Sequence, residues 1–183
     1  GTETTSPLRG PGARLEIMSA LLLFLGVSLA AGPATARDGD ATPDSLLRRL
    51  YAAHQPWFGH DIWLDETAGT PSLGRFLDEP LVRLFHLDDA CKERTGGVGF
   101  LDFDPFLDAQ DYDDLGLSEL KIHCTPEKKS ATCEVSFQLF HDRPDSRQQL
   151  GYSLNLSPKG WRIHDIAYES GASLLGTLSR PCE

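Results

Sequence analysis

The hydrophobic pattern of this chain changes period once, near Phe100, and that change limits the possible folds more than any single motif. Before it, apolar residues recur every three or four positions: Leu46, Leu47, Leu50 and Tyr51, then Leu73, Phe76, Leu77, Leu81, Leu84 and Phe85. This is the spacing of one face of a helix. After it, four runs at about 117–124, 132–140, 149–156 and 161–168 carry the alternation of strands, the last two joined by the turn Ser157-Pro158-Lys159-Gly160. Helices first and an antiparallel meander after give an α+β fold, with the N-terminal helices packed on one face of a curved antiparallel sheet.

Local signals mark the ends of these elements. Thr42 and Pro43 read as the cap and first position of a helix that Pro56 stops. Ser72 reads as the cap of a second helix, restarted or kinked at Pro80 and ended by Gly96-Gly97. A short final helix is expected at 173–178. We read 1–36 as leader and upstream extension, 37–43 as linker and 44–183 as one domain.

The leader reading rests on the apolar run Ser19 to Ala31, which has the length of a signal-peptide core and is too short to span a bilayer. Gly32-Pro33 breaks it, and Ala34-Thr35-Ala36 has the form of a cleavage site. Residues 1–17 are either an over-extended reading frame ahead of Met18 or a basic n-region carrying Arg9 and Arg14. No cysteine lies near the cleavage point to carry a lipid, so the expected product is free in the periplasm or secreted, with no membrane anchor.

The four cysteines, Cys91, Cys124, Cys133 and Cys182, all follow the leader, as in an exported, disulfide-bonded chain. Four cysteines allow three pairings. Cys124 shares a strand face with Leu120 and Ile122, and Cys133 shares one with Val135, Phe137 and Leu139. As arms of one hairpin they face each other across the 125–132 loop, which leaves Cys91 to pair with Cys182. A metal site would need closer ligand spacing than these residues have.

The net charge of −10 is unchanged by loss of the leader, which removes Arg9 and Arg14 together with Glu3 and Glu16. A chain this acidic is a poor ligand for nucleic acid, whose binding draws on clustered lysine and arginine. It is equally unsuited to an anionic membrane surface. A charged partner, if there is one, is expected to be basic.

The segment Leu101-Asp102-Phe103-Asp104-Pro105-Phe106-Leu107-Asp108-Ala109-Gln110-Asp111-Tyr112 resembles the LDFDPFLxAQDW signature of an uncharacterised bacterial family of exported proteins. Gly160-Trp161-Arg162-Ile163-His164-Asp165-Ile166 resembles that family's W-R-I-x-D-I strand. The likeness covers roughly 45–178 and departs from the family at Tyr112, where tryptophan is common. It implies a cystatin-like, nuclear-transport-factor-like cone of helices and bent sheet that can enclose a pocket. It implies no activity, because that fold serves both enzymes and passive binders.

The candidates for chemistry are few. Asp102, Asp104, Asp108, Asp111, Asp113 and Asp114 could gather oxygen ligands, but Leu107 and Asp113 stand where a calcium loop begun at Asp102 needs Gly and Glu. The favoured reading is that these side chains shape an irregular connection anchored by Phe103, Phe106 and Leu107. Strict alternation puts Asp165 on a face with Trp161, Ile163 and Ala167. A carboxyl group in such apolar surroundings could serve as a general acid or base. Alternatively, Ile166 and Tyr168 point inward, or Asp165 is held by the acidic segment's backbone. On a regular strand His164 and Asp165 point to opposite faces and form no dyad. The candidate binding residues are Asp102, Asp104, Gln110, Asp111 and Trp161. Trp57, Phe58 and Trp63 lie in a loop and either anchor a partner or close the edge of the core.

The expected function is that of an exported binding or accessory protein without catalytic activity, an inhibitor or immunity-type partner of a secreted protein. The alternative is a small-molecule pocket protein or small enzyme using Asp165. No cofactor and no metal are expected.

Overall fold

The computed structural model of the protein describes residues 41–54, 73–97, 99–113 and 115–182. The leader, the linker up to Asp40, the loop with Trp57, Phe58 and Trp63, and Asp114 lie outside the described residues.

Helix α1 (Pro43–His54) begins with a reciprocal cap: the Ser45 amide donates to Thr42 Oγ1 and the Thr42 amide to Ser45 Oγ. Its apolar stripe, Leu46, Leu47, Leu50 and Tyr51, is fully buried. The second helical stretch is two elements rather than one kinked helix. A 3-10 turn (Leu73–Phe76) is followed by α2 (Glu79–Thr95), whose cap is Asp78; Ser72 lies outside the described residues. Pro80 sits in the first turn of α2, where its missing amide costs nothing. Between the two, Leu77 pairs with Ile163 as an isolated parallel bridge, and the Asp78 amide donates to the Ile163 carbonyl at 2.8 Å. That backbone pairing replaces the helical turn that a continuous helix would need. Gly96, at φ 68°, ends α2 in the left-handed conformation that glycine takes without strain.

The strands are β1 (Ser118–Pro126), β2 (Ser130–Gln138), β3 (Arg147–Ser157) and β4 (Gly160–Tyr168), in one antiparallel sheet of order β1-β2-β3-β4. A short helix α3 (Leu174–Leu178), capped by Ser173, follows. The fold is α+β. One sheet face, carrying Val135, Phe137, Leu150, Tyr152, Leu154, Ile163 and Ile166, joins the apolar faces of α1 and α2 in the hydrophobic core.

The disulfides are Cys124–Cys133 and Cys91–Cys182. The first joins directly opposed residues of the β1–β2 hairpin, 4.0 Å apart at Cα. The second ties α2 to the tail beyond α3. Both are of the kind that persists in an oxidising compartment. No helix among the described residues is long and apolar enough to cross a membrane.

Strand β4 departs from strict alternation. Tyr152 opposes Ile166 and Ser153 opposes Asp165, but Leu154 opposes Ile163, so His164 is an extra residue in a β-bulge. The bulge resets the period, and Trp161 and Ile163 before it and Ile166 and Tyr168 after it are all buried. The two inward sets expected as alternatives therefore occur together, and Asp165 does not share the face of Trp161 and Ile163.

Candidate functional site

The acidic segment is built into the core by its backbone. The Asp104 amide donates to the Ala109 carbonyl at 2.8 Å, and the Leu107 amide donates to the Asp104 carbonyl at 3.1 Å. Asp104 Oδ1 accepts the Phe106 amide at 2.9 Å, the side-chain turn that aspartate favours in loops. This closes a tight loop whose Phe106 and Leu107 are buried. Two carbonyls at its tip are then met by tyrosines from other elements. Tyr168 OH, from β4, donates to Pro105 O at 3.2 Å, and Tyr51 OH, from α1, donates to Phe106 O at 3.0 Å. Tyr152 OH, from β3, lies 2.8 Å from Tyr51 OH. Because Tyr51 spends its proton on Phe106, Tyr152 is the donor of that pair. Burial pushes all three phenols far above their usual range, so they remain protonated donors.

The rest of the segment is local scaffolding. Gln110 Nε2 reaches Asp102 Oδ2 at 3.5 Å on the surface, and Asp111 Oδ1 accepts the Tyr112 amide at 2.9 Å. Asp108 takes a left-handed backbone (φ 51°). Burial, and then the neighbouring Glu169 carboxylate, push its pKa up. Among the described residues no three His, Cys, Asp or Glu side chains converge to hold a metal ion.

Asp165 lies at the bulge and is half-buried. Its Oδ1 accepts two amides, Ile166 and Leu175, each at 2.8 Å. Leu175 is in the first turn of α3, so Asp165 supplements Ser173, whose Oγ accepts the Gly176 amide at 3.1 Å. The backbone that holds Asp165 is thus its own strand and α3, not the acidic segment. Trp161 packs in the core and does not present its ring to solvent.

The structure also forms a carboxylate–imidazole pair that sequence reasoning missed. His164 Nδ1 lies 2.6 Å from Asp78 Oδ2, while Asp78 Oδ1 accepts the Leu81 amide at the start of α2. Asp78 thus caps the helix and holds the bulged strand. Asp78-Glu79-Pro80 was a readable helix-start signal; the bulge that brings His164 to it left no trace in the sequence.

The opposite, exposed face of the sheet carries a hollow of about 540 Å³. Strand register explains it. One row across the sheet is His123, Glu134, Gly151 and Ala167, and the next is Thr125, Thr132, Ser153 and Asp165. Gly151 and Ala167 in the first row and Thr132 and Ser153 in the second leave the centre low, with His123 and Glu134 rising at one side. Gly151 is not required by the backbone: an added Cβ would meet Ala167 Cβ at an ordinary 3.6 Å. A glycine inside a central strand costs roughly 0.5–1 kcal/mol against alanine, and such a position often marks close approach by a ligand or another backbone. A second hollow, of about 440 Å³, lies beside the Cys91–Cys182 bridge between Thr95, Phe100 and Arg180.

No protein-family model matches the chain. Over 164 residues it is 28% identical to the uncharacterized protein YqhG of Escherichia coli (strain K12), a match that covers 86% of this chain and 48% of YqhG. The chain therefore spans about half the length of this curated relative. Among solved structures it is similar to the type VI native effector–immunity complex Tae3–Tai3 from Ralstonia pickettii. That match has a TM-score of 0.45 and 20% identity, covering 71% of this chain and 97% of the other. It also overlays on a phospholipid-binding protein from Ralstonia solanacearum, solved with a phospholipid. There the TM-score is 0.28 and the identity 11%, covering 72% of this chain and 57% of the other. At these TM-scores neither overlay bears on function.

Proposed function

We propose that this chain is an exported binding protein without catalytic activity, acting on another protein as an inhibitor or immunity-type partner. The observation that carries this reading is the employment of its most conspicuous carboxylates. Asp165 Oδ1 accepts two backbone amides, and Asp104 Oδ1 closes the loop that the buried tyrosines hold. Their hydrogen bonds are those of a scaffold. The two disulfides suit an oxidising compartment, and the charge of −10 favours a basic partner and keeps the free protein soluble.

The test is capture from native periplasmic extract with the disulfide-bonded protein as bait, beside an Asp165→Asn variant that keeps the accepting oxygen and loses the charge. The expected result is one stoichiometric protein partner that survives moderate salt and binds both baits alike. An enzymatic activity of the wild-type protein that is abolished in Asp165→Asn would overturn the reading.

A further inference from the structure

We propose that the exposed face of the sheet around Gly151 is the docking surface for a basic segment of a partner protein, with a lysine or arginine side chain entering the hollow beside Glu134. This inference rests on the binding reading above and adds where the partner sits and what it presents.

Charge is the first ground. The lining of the hollow carries one carboxylate, Glu134, and no lysine or arginine. Glu134 is exposed and has no ion-pair partner among the described residues. His123 stands directly opposite it on β1, and Lys121 stands one row further along, opposite Ser136, outside the hollow. A cation entering over Gly151 therefore finds Glu134 as the one carboxylate of the lining, with no lysine or arginine beside it there. The net charge of −10 adds long-range attraction for a basic surface.

Shape is the second ground. Gly151 and Ala167 lower the middle of the sheet where the fold has room for a side chain at Gly151. Thr132 and Ser153 flank the low point with hydroxyls that both donate and accept. Neighbouring strands are about 4.8 Å apart, so the rows extend about 14 Å across four strands. That is the scale of a protruding loop rather than of an enclosed small molecule. The arrangement suits one long cationic side chain in a central recess with polar contacts around it, the pattern by which arginine serves as an interface anchor.

The test uses the full, disulfide-bonded chain labelled with 15N and titrated at low ionic strength with trilysine, with triglutamate as control. The expected result is saturable shifts of the Thr132, Glu134, Gly151 and Ser153 amides with trilysine and none with triglutamate. Glu134→Gln should weaken trilysine binding at least about fivefold, as expected when one unscreened charge pair is lost. Gly151→Val, which fills the recess with a good strand former, should remove the response while the spectrum stays dispersed. Should Gly151→Val fail to fold, Glu134→Gln decides alone. Shifts centred on the 102–111 segment, an equal response to triglutamate, or undiminished binding by Glu134→Gln would each overturn the proposal. So would a dimer seen by sedimentation that Gly151→Val dissociates, which would assign this face to a second copy. A captured partner that binds Glu134→Gln and Gly151→Val as well as wild type would overturn this proposal and leave the binding function standing.

Discussion

Replacing Tyr51 by phenylalanine isolates what holds the acidic motif in place, because the change removes one oxygen from a residue outside the motif. In the folded protein that oxygen serves twice, donating to Phe106 O and accepting from Tyr152 OH. Tyr51, Phe106 and Tyr152 are all buried, so water does not replace the lost partner. Tyr51→Phe removes the bond to the buried Phe106 carbonyl and leaves the buried Tyr152 hydroxyl without its acceptor, at about 1–3 kcal/mol for an unsatisfied group, and the expected loss is about 2–4 kcal/mol. Tyr152→Phe takes only an accepted bond from Tyr51, whose own donation to Phe106 survives, and should cost about 1 kcal/mol. The double variant should cost less than the two singles together, because the donor orphaned by Tyr51→Phe is absent from it. Urea unfolding of the four proteins, with midpoints compared at constant m-value, gives the cycle. Equal costs for the two single variants, or a neutral Tyr51→Phe, would refute the claim that tyrosines from α1 and β3 anchor the motif.

Two other predictions follow from the same geometry. The Cys91–Cys182 bridge closes a separation of 91 residues and Cys124–Cys133 one of 9. In the chain-entropy treatment their removal as Cys→Ala pairs costs about 4.6 and about 2.6 kcal/mol, so urea midpoints should fall further for the first pair; the reverse order would show that the short bridge acts through packing of the hairpin. Asp108 and Asp113 should respond to pH with opposite signs. Burial and Glu169 raise the Asp108 pKa, so its favourable contribution is present below the unfolded pKa and lost as pH rises through the folded value. Asp108→Asn, which also suits φ 51°, should stabilise the protein at neutral pH and lose that advantage in acid. The Leu115 and His141 amides, then the His141 ring, lower the Asp113 pKa, so its contribution is present above the unfolded pKa and lost as pH falls through the folded value. Asp113→Ala should therefore destabilise at neutral pH and not in strong acid. Thermal unfolding from pH 2 to pH 8 reads both, and parallel curves for the two variants would contradict the assignments.

Elements whose local signals agree with their packing were readable in the sequence. The stripe of α1 and its Thr42 cap, the hairpin that pairs Cys124 with Cys133, and the turn before β4 each needed only period and neighbouring residues. Two features were not readable, for one physical reason: backbone pairing between distant segments decided them. The stretch around Leu77 carries apolar residues at helical spacing, yet it leaves the helix because Ile163 offers a bridge. The β4 bulge at His164 has no glycine to announce it, and it is held from 86 residues away by Asp78. A one-residue bulge changes which side chains face inward, which is why strict alternation misplaced Asp165.

The same comparison indicates where function can reside. The residues most conspicuous in the sequence, the aspartates of the motif and Asp165 in an apolar strand, are conspicuous because polar groups at a core boundary need partners. The structure supplies backbone amides to Asp104, Asp111 and Asp165, and the Gln110 side chain to Asp102. Side chains committed in this way are poorly placed to bind anything else, since each would have to give up a hydrogen bond to do so. The hollow around Gly151 is lined mainly by small residues, Thr125, Thr132, Ser153 and Ala167, with His123 and Glu134 at one side, and none of these six stood out in the sequence. There the fold does not require the glycine, and no ion pair among the described residues occupies Glu134. A hollow that accepts the cost of a central-strand glycine while leaving its one lining carboxylate without an ion pair among the described residues is better prepared for a partner than the motif is.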